Sequence, residues 1–206
     1  AGRALRVAGI AVVLLLILGR GISHALVLRT CPRHSSLSPF RYPVGAVAYL
    51  DEHPLEGNIF NTIRYGGYLV WERYPPRKVF IDGRLVIRTP RFYAEYLGVL
   101  DHPEGFAQVG EHYGITHVLL QTAIFGRYRR LARQLYRDSS WSLVHTDAAA
   151  VLFVRDFLAS TEAIDLSDRR QVKAIAQELD EQWRDDARIG LEAQRYLHDL
   201  VQLLTE

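Results

Sequence analysis

The stretch from Phe60 to Leu85, FNTIRYGGYLVWERYPPRKVFIDGRL, constrains the fold more than any other part of the chain. Two short apolar segments at its ends, Asn58 to Asn61 and Val79 to Ile81, read as buried strands. Between them Gly66-Gly67 opens a short helix over Tyr65 to Tyr74, with Leu69 and Val70 inward, and Pro75-Pro76 stops it. A strand, a helix and a second strand in succession predict parallel pairing with helices laid on the sheet.

The chain on either side extends that pattern. Val44, Val47, Ala48 and Leu50 share one helical face after Pro43, and Pro54 and Gly57 end that helix. Thr89-Pro90 starts a helix, a capping hydroxyl followed by a first-turn proline, which Phe92, Tyr93, Tyr96, Leu97 and Leu100 continue. Another helix covers Gly105 to Tyr113 and ends at Gly114. Thr116 to Leu120 is the third strand, and Tyr128 to Tyr136 a basic amphipathic helix with Leu131, Ala132 and Leu135 inward. Trp141 to Thr146 and Ala149 to Val154 form a hairpin turning at Asp147. The expected fold class is α/β, a small largely parallel sheet with flanking helices.

Both termini add something to this domain. Val7 to Gly19 is an uncharged apolar run with no polar positions at helical spacing. A bilayer crossing needs about 20 residues; counting Leu5, with Arg3, Arg6 and Arg20 snorkelling at its ends, the run becomes one transmembrane helix. A signal peptide is the competing reading, but no small-x-small cleavage pattern follows and Arg20 comes directly after. Arginines on both flanks leave its orientation open. At the other end, Val172, Ile175, Ala176, Leu179 and Trp183 form one apolar stripe, and Ile189, Ala193, Tyr196, Leu197, Leu200 and Leu204 a second. These predict a helical hairpin whose faces need a partner surface: the sheet domain, further helical repeats or another protein. The expected organisation is a membrane span and exit over 1–28, a connector over 29–42, an α/β soluble domain over 43–156 and a helical tail over 157–206. The chain has no methionine, even at position 1, which predicts a piece of something longer.

Composition and motifs exclude several classes. A formal net charge of +2, with basic residues scattered, gives no nucleic-acid footprint. GxGxxG, P-loop, HExxH and GxSxG signatures are missing, and the histidines lack metal-ligand spacing, so neither a cofactor nor a metal is expected. The lone Cys31 cannot form an intrachain disulfide.

In an open parallel sheet, ligands bind beyond the carboxyl ends of the strands. That rule gathers Asn61-Thr62 after the first strand, Asp82-Gly83-Arg84 after the second and Gln121-Thr122 after the third, with Arg64, Tyr65 and Tyr68 close by. The backbone N–H groups of Gly66, Gly67 and Tyr68, at a helix start, are placed to receive an anionic group. The candidate ligand-binding set is therefore Asn61, Arg64, Tyr65, Gly66, Gly67, Tyr68, Asp82, Arg84 and Gln121, for a phosphate, carboxylate or sugar-like ligand. The competing reading is structural: Asp82 pairs with Arg84, and the glycine pair permits tight helix–sheet packing.

The pattern FN…YGGYLVW…YP…KVFIDGRL resembles the extracytoplasmic C-terminal domain of bacterial polytopic membrane proteins with the fold of the GT-C glycosyltransferases. In that family a last transmembrane helix leads into a small α/β domain carrying a Trp/Tyr-Gly-Gly-Tyr-Leu segment and then Asp-Gly-Arg. The matching positions here are Tyr65, Gly66, Gly67, Tyr68, Leu69 and Asp82, Gly83, Arg84, and the likeness spans roughly Pro43 to Val154. It implies a lipid-linked sugar donor, a place in the bacterial inner membrane with the soluble domain outside, and the lipid bilayer and an acceptor as partners. The catalytic carboxylate of such enzymes sits in a loop between early transmembrane helices, so this chain is expected to be inactive alone. A more distant likeness is to the oligosaccharyltransferase catalytic subunit with its WWDYG motif. Tyr65 to Tyr68 lacks the tryptophan pair and the aspartate, so acceptor-peptide recognition does not carry over. The rival expectation is a non-catalytic, membrane-anchored α/β module whose helical tail binds a protein.

Overall fold

A computed structural model of the chain describes residues 9–22, 40–53, 56–73, 78–84, 89–122, 126–155 and 163–206. The chain divides into two compact units, Ala1–Ser36 and Leu37–Glu206. The described part of the first is a helix, α1, over residues 9–22. Its large apolar side chains, Ile10 to Leu18 and Ile22, are 54% to 68% exposed. At about 1.5 Å per residue it is on the order of 20 Å long, against the ~30 Å of a hydrocarbon core. Among the described residues no helix is long and apolar enough to cross a membrane. The outer parts of the expected span, most of the connector with Cys31, Pro75-Pro76 and the first residues of the tail lie outside the described residues.

The second unit contains α2 (Val44–Glu52), β1 (Asn58–Asn61), α3 (Ile63–Arg73), α4 (Pro90–Asp101), α5 (Phe106–His112), β2 (Ile115–Gln121), α6 (Arg129–Arg137), β3 (Trp141–Thr146), β4 (Ala150–Arg155), α7 (Arg169–Gln182) and α8 (Ala187–Thr205). The strands form one sheet in the order β1-β2-β4-β3. Only β1 and β2 pair in parallel, whereas β4 runs antiparallel to both neighbours. The fold is thus α/β as expected, but the sheet is mixed rather than largely parallel.

Two physical causes account for the difference. The hairpin does not merely close an edge: it folds back so that β4 lies against β2 and leaves β3 outermost. The segment Val79 to Ile81, expected to be a full parallel strand, contributes a single bridge between Val79 and Ile59. Beyond that bridge its backbone is met by a side chain instead of a ladder. The Asn61 carboxamide accepts from the Phe80 N–H at 3.0 Å and donates to the Ile81 carbonyl at 2.7 Å.

Side chains alternate across the sheet and both faces are covered. On one face Phe60, Val118, Leu120, Val151 and Phe153 pack against α4, α5, α6 and α8 through Tyr96, Leu100, Phe106, Leu131 and Leu200. On the other, Ile59, Leu119, Leu152 and Val154 meet Ala46, Val47 and Leu50 of α2 and Tyr65, Tyr68 and Leu69 of α3. Local signals terminate the elements as expected. The Thr89 hydroxyl accepts from the Phe92 N–H at 3.2 Å with Pro90 in the first turn, and Gly114 takes a φ of +58° after α5. The Asp147 carboxylate turns the β3–β4 hairpin by accepting from the Ala149 and Ala150 N–H groups, each at 2.7 Å.

The tail is a hairpin, with Gln194 of α8 donating to the Ala176 carbonyl and the Asp180 carboxylate of α7. Its stripes close on the molecule itself. Leu200, Leu203 and Leu204 enter the sheet core, and Ala193 and Leu197 pack with Leu179 and Ala148. Asp168 caps α7 by accepting from the Arg170 N–H, while the Ser167 hydroxyl donates to Asp165.

Candidate functional site

Three of the candidates, Asn61, Tyr65 and Gly66, are spent on architecture. Asn61 is fully buried at the end of β1, and its side chain bonds the Phe80–Ile81 backbone and the Thr62 carbonyl. Tyr65, also fully buried, donates its hydroxyl proton to the Ala149 carbonyl at 2.5 Å and so ties α3 to the start of β4. Gly66 faces the Ile81–Asp82 backbone: a Cβ there would lie 2.1 Å from the Ile81 carbonyl oxygen and 2.5 Å from the Asp82 Cα. Together these residues close the space between the ends of β1 and the 79–82 segment.

The helix start differs from expectation. α3 begins at Ile63, so Gly66, Gly67 and Tyr68 lie one turn inside it. Their N–H groups face the carbonyls four residues back rather than an incoming anion. The Tyr65 N–H is taken up as well, by the Thr62 carbonyl at 3.0 Å. The misplacement came from reading glycine as an opener, when Thr62 holds the position before the first turn.

The remaining candidates separate by exposure. Arg64 and Gly67 lie on the outer face of α3, and nothing comes within 4 Å of a Cβ built on Gly67. Tyr68 is 8% exposed, with its ring between Tyr42 at 5.5 Å and Trp71 at 5.9 Å. Asp82 is buried, and Arg84 turns back onto it through its own N–H at 2.8 Å and its guanidinium at 2.7 Å. The Arg84 side chain is otherwise 63% exposed. Gln121 ends β2 opposite Ala150. The geometry therefore joins Asn61, Tyr65, Gly66 and Asp82 in one packed corner, and leaves Arg64, Gly67 and Arg84 as its accessible rim.

Burial also governs the titration of this region. Tyr65 and Tyr96 both hold their phenolic protons well above the usual tyrosine range, chiefly through desolvation, with Asp147 adding to the effect at Tyr65 and Tyr128 at Tyr96. A group held protonated more tightly in the folded state stabilises the fold fully below its unfolded pKa, here 10.0, and loses that contribution as pH rises above it. The expected result is a stability that falls above ~pH 10 by about 1.4 kcal/mol per pH unit for each tyrosine. Urea midpoints collected across that range check it, and Tyr65→Phe should remove one tyrosine's share of the slope.

Two features escaped the sequence reading. A cleft of about 410 Å³ opens beyond β2 between Thr122, Gly126, Arg129 and Arg133 on one side and Tyr196, Asp199 and Gln202 of α8 on the other. Thr122 is buried and its hydroxyl has no partner among the described residues, as is true of Thr62 at the end of β1. The second feature is a half-buried pair, His145 Nε2 and Asp147 Oδ2 at 3.2 Å, beside Gly45 in a smaller cavity of about 250 Å³. The sequence signal for the cleft was the Gln121-Thr122 pair after a strand; nothing in the sequence announced that α8 would form its far wall. Compared with protein-family models, with curated proteins and with solved structures, the chain matches none.

Proposed function

We propose that this chain is the soluble domain, with an adjoining membrane span, of a bacterial membrane-embedded glycosyltransferase-like protein that uses a lipid-linked sugar donor. In this reading the domain lies on the extracytoplasmic side and supports acceptor binding or the active site, with the catalytic carboxylate elsewhere in the parent protein. The observation that carries the membrane part is α1, whose large apolar side chains from Ile10 to Leu18 are each more than half exposed, a surface that suits hydrocarbon better than water. The packed corner around Asn61 supports a positioning role: it holds the Asp82–Arg84 turn rigid while leaving the Arg84 guanidinium accessible. The rival reading, a module that docks a protein through its tail, is weakened because α7 and α8 bury their stripes against their own sheet.

Two measurements test it. The chain should float with phosphatidylcholine vesicles, and Leu14→Arg with Leu16→Arg should leave it at the bottom of the gradient. In the full-length parent, Arg84→Ala should lower transfer from a polyprenyl-phosphate sugar by about tenfold, the value of one charge-assisted hydrogen bond, with circular dichroism verifying that the variant, which also loses the Asp82 ion pair, is still folded. Undiminished transfer would remove Arg84 from the site.

A further inference from the structure

Trp71 is 71% exposed on α3, in a unit that buries most of its other large aromatics. It is not isolated. Its ring lies 5.9 Å from Tyr68, whose ring lies 5.5 Å from Tyr42, and Val44, two residues on, is 47% exposed. These four residues make an aromatic-apolar patch: Trp71 and Val44 are the exposed members, Tyr42 is half-buried, and Tyr68 is the buried ring that links Tyr42 to Trp71. Arg41 is exposed beside Tyr42, and Arg64 is exposed on the same stripe of α3 as Gly67 and Trp71. Neither arginine faces a carboxylate within ion-pair distance among the described residues; Glu72, next to Trp71, is the acidic residue nearest the patch in sequence.

We propose that this patch is a membrane-interface footprint: Trp71, the open edge of Tyr42 and Val44 rest at the headgroup level of a bilayer, backed by the buried Tyr68 ring, with Arg41 and Arg64 against anionic lipid. Tryptophan and tyrosine favour that depth because each pairs an apolar body with a polar tip. Arginine beside them adds the attraction of an anionic leaflet. A soluble protein partner is the less suitable occupant for two reasons. The patch pairs unneutralised cations with aromatics at the amino-terminal end of the folded unit, and an apolar helix precedes it in the same chain. The footprint rests on the membrane reading above and adds to it that the folded unit itself touches lipid.

The test uses the complete chain in vesicles of phosphatidylcholine and phosphatidylglycerol, some carrying lipids brominated near the headgroup. Flotation is scored first and tryptophan quenching second. Of the other two tryptophans, Trp141 is 6% exposed beneath Arg155 and Trp183 is half-buried against the α7–α8 cluster, so Trp71 is the one most open to quencher. The expected result is strong quenching of the wild type that falls at least about twofold in Trp71→Phe, the footprint tryptophan being the one at aromatic-belt depth. Arg41→Gln with Arg64→Gln should weaken the dependence on phosphatidylglycerol by about fivefold per arginine. Trp71 is too exposed for its replacement to unfold the domain, and circular dichroism verifies that. A chain that floats but shows equal quenching in wild type and Trp71→Phe overturns the footprint alone. A chain that never floats overturns it together with the membrane reading.

Discussion

Asn61→Leu should cost the fold about 3–5 kcal/mol, the sum of the hydrogen bonds lost and of the buried backbone groups left without partners. Leucine keeps the branched heavy-atom outline of the asparagine side chain, at a somewhat larger volume, but neither its donor nor its acceptor. The carboxamide of Asn61 receives the Phe80 N–H at 3.0 Å and delivers its own proton to the Ile81 carbonyl at 2.7 Å, and it is fully buried. Each of those backbone groups would lose its Asn61 partner in a place water does not reach. Urea denaturation of the chain, followed by circular dichroism, gives the value directly. A change under ~1 kcal/mol, within the range of an ordinary surface substitution, would mean that the 79–82 segment is held by something else. The result also decides between the two roles assigned to this corner. A ligand contact at Asn61 would lower activity with stability intact, whereas a structural staple lowers stability first and takes any activity with it.

The same residue explains where the sequence was legible and where it was not. Thr89, Gly114 and Asp147 advertise their turns and caps because each acts on the backbone within three residues of itself. Their chemistry is local, so a local reading recovers it. The Val79 to Ile81 run carries strong strand propensity, yet only Val79 makes a bridge, because a side chain twenty residues earlier satisfies the backbone that follows. Nothing in a window around Val79 contains that information. The tail shows the same limit. Its two stripes were visible as period-3.6 patterns, but their destination depended on how the sheet presented Phe153 and Leu143 on the opposite side of the chain. The candidate site inherits both limits. Placing Asn61 and Gln121 at strand ends was within reach of the sequence, whereas Asp82 follows a segment that is no strand; seeing that Asn61 and Gly66 fill the space between β1 and that segment required their positions in space.

The glycine pair gives the sharpest contrast in the molecule, because two adjacent residues of one type should respond to the same substitution with opposite signs. Gly66→Ala places a Cβ 2.1 Å from the Ile81 carbonyl oxygen, 2.5 Å from the Asp82 Cα and 2.7 Å from the Asp82 Cβ. Two of those three atoms are backbone and cannot rotate away, so α3 and the 81–82 segment must separate. Overpacking of this kind costs about 1–3 kcal/mol, and here it also pulls on the Asn61 staple. Gly67→Ala meets nothing within 4 Å, on an exposed helical face. It should therefore stabilise the chain by about 0.5–1 kcal/mol, the helix-propensity difference between the two residues. Thermal unfolding of the two variants side by side would show one transition moving down and the other up. Two transitions moving in the same direction would mean that α3 does not approach the Ile81–Asp82 backbone as described. Gly67 has a further consequence because no contact within the chain requires it. If Gly67→Ala is more stable and yet impairs the full-length protein, the bare backbone between Arg64 and Trp71 is needed by whatever rests on that face.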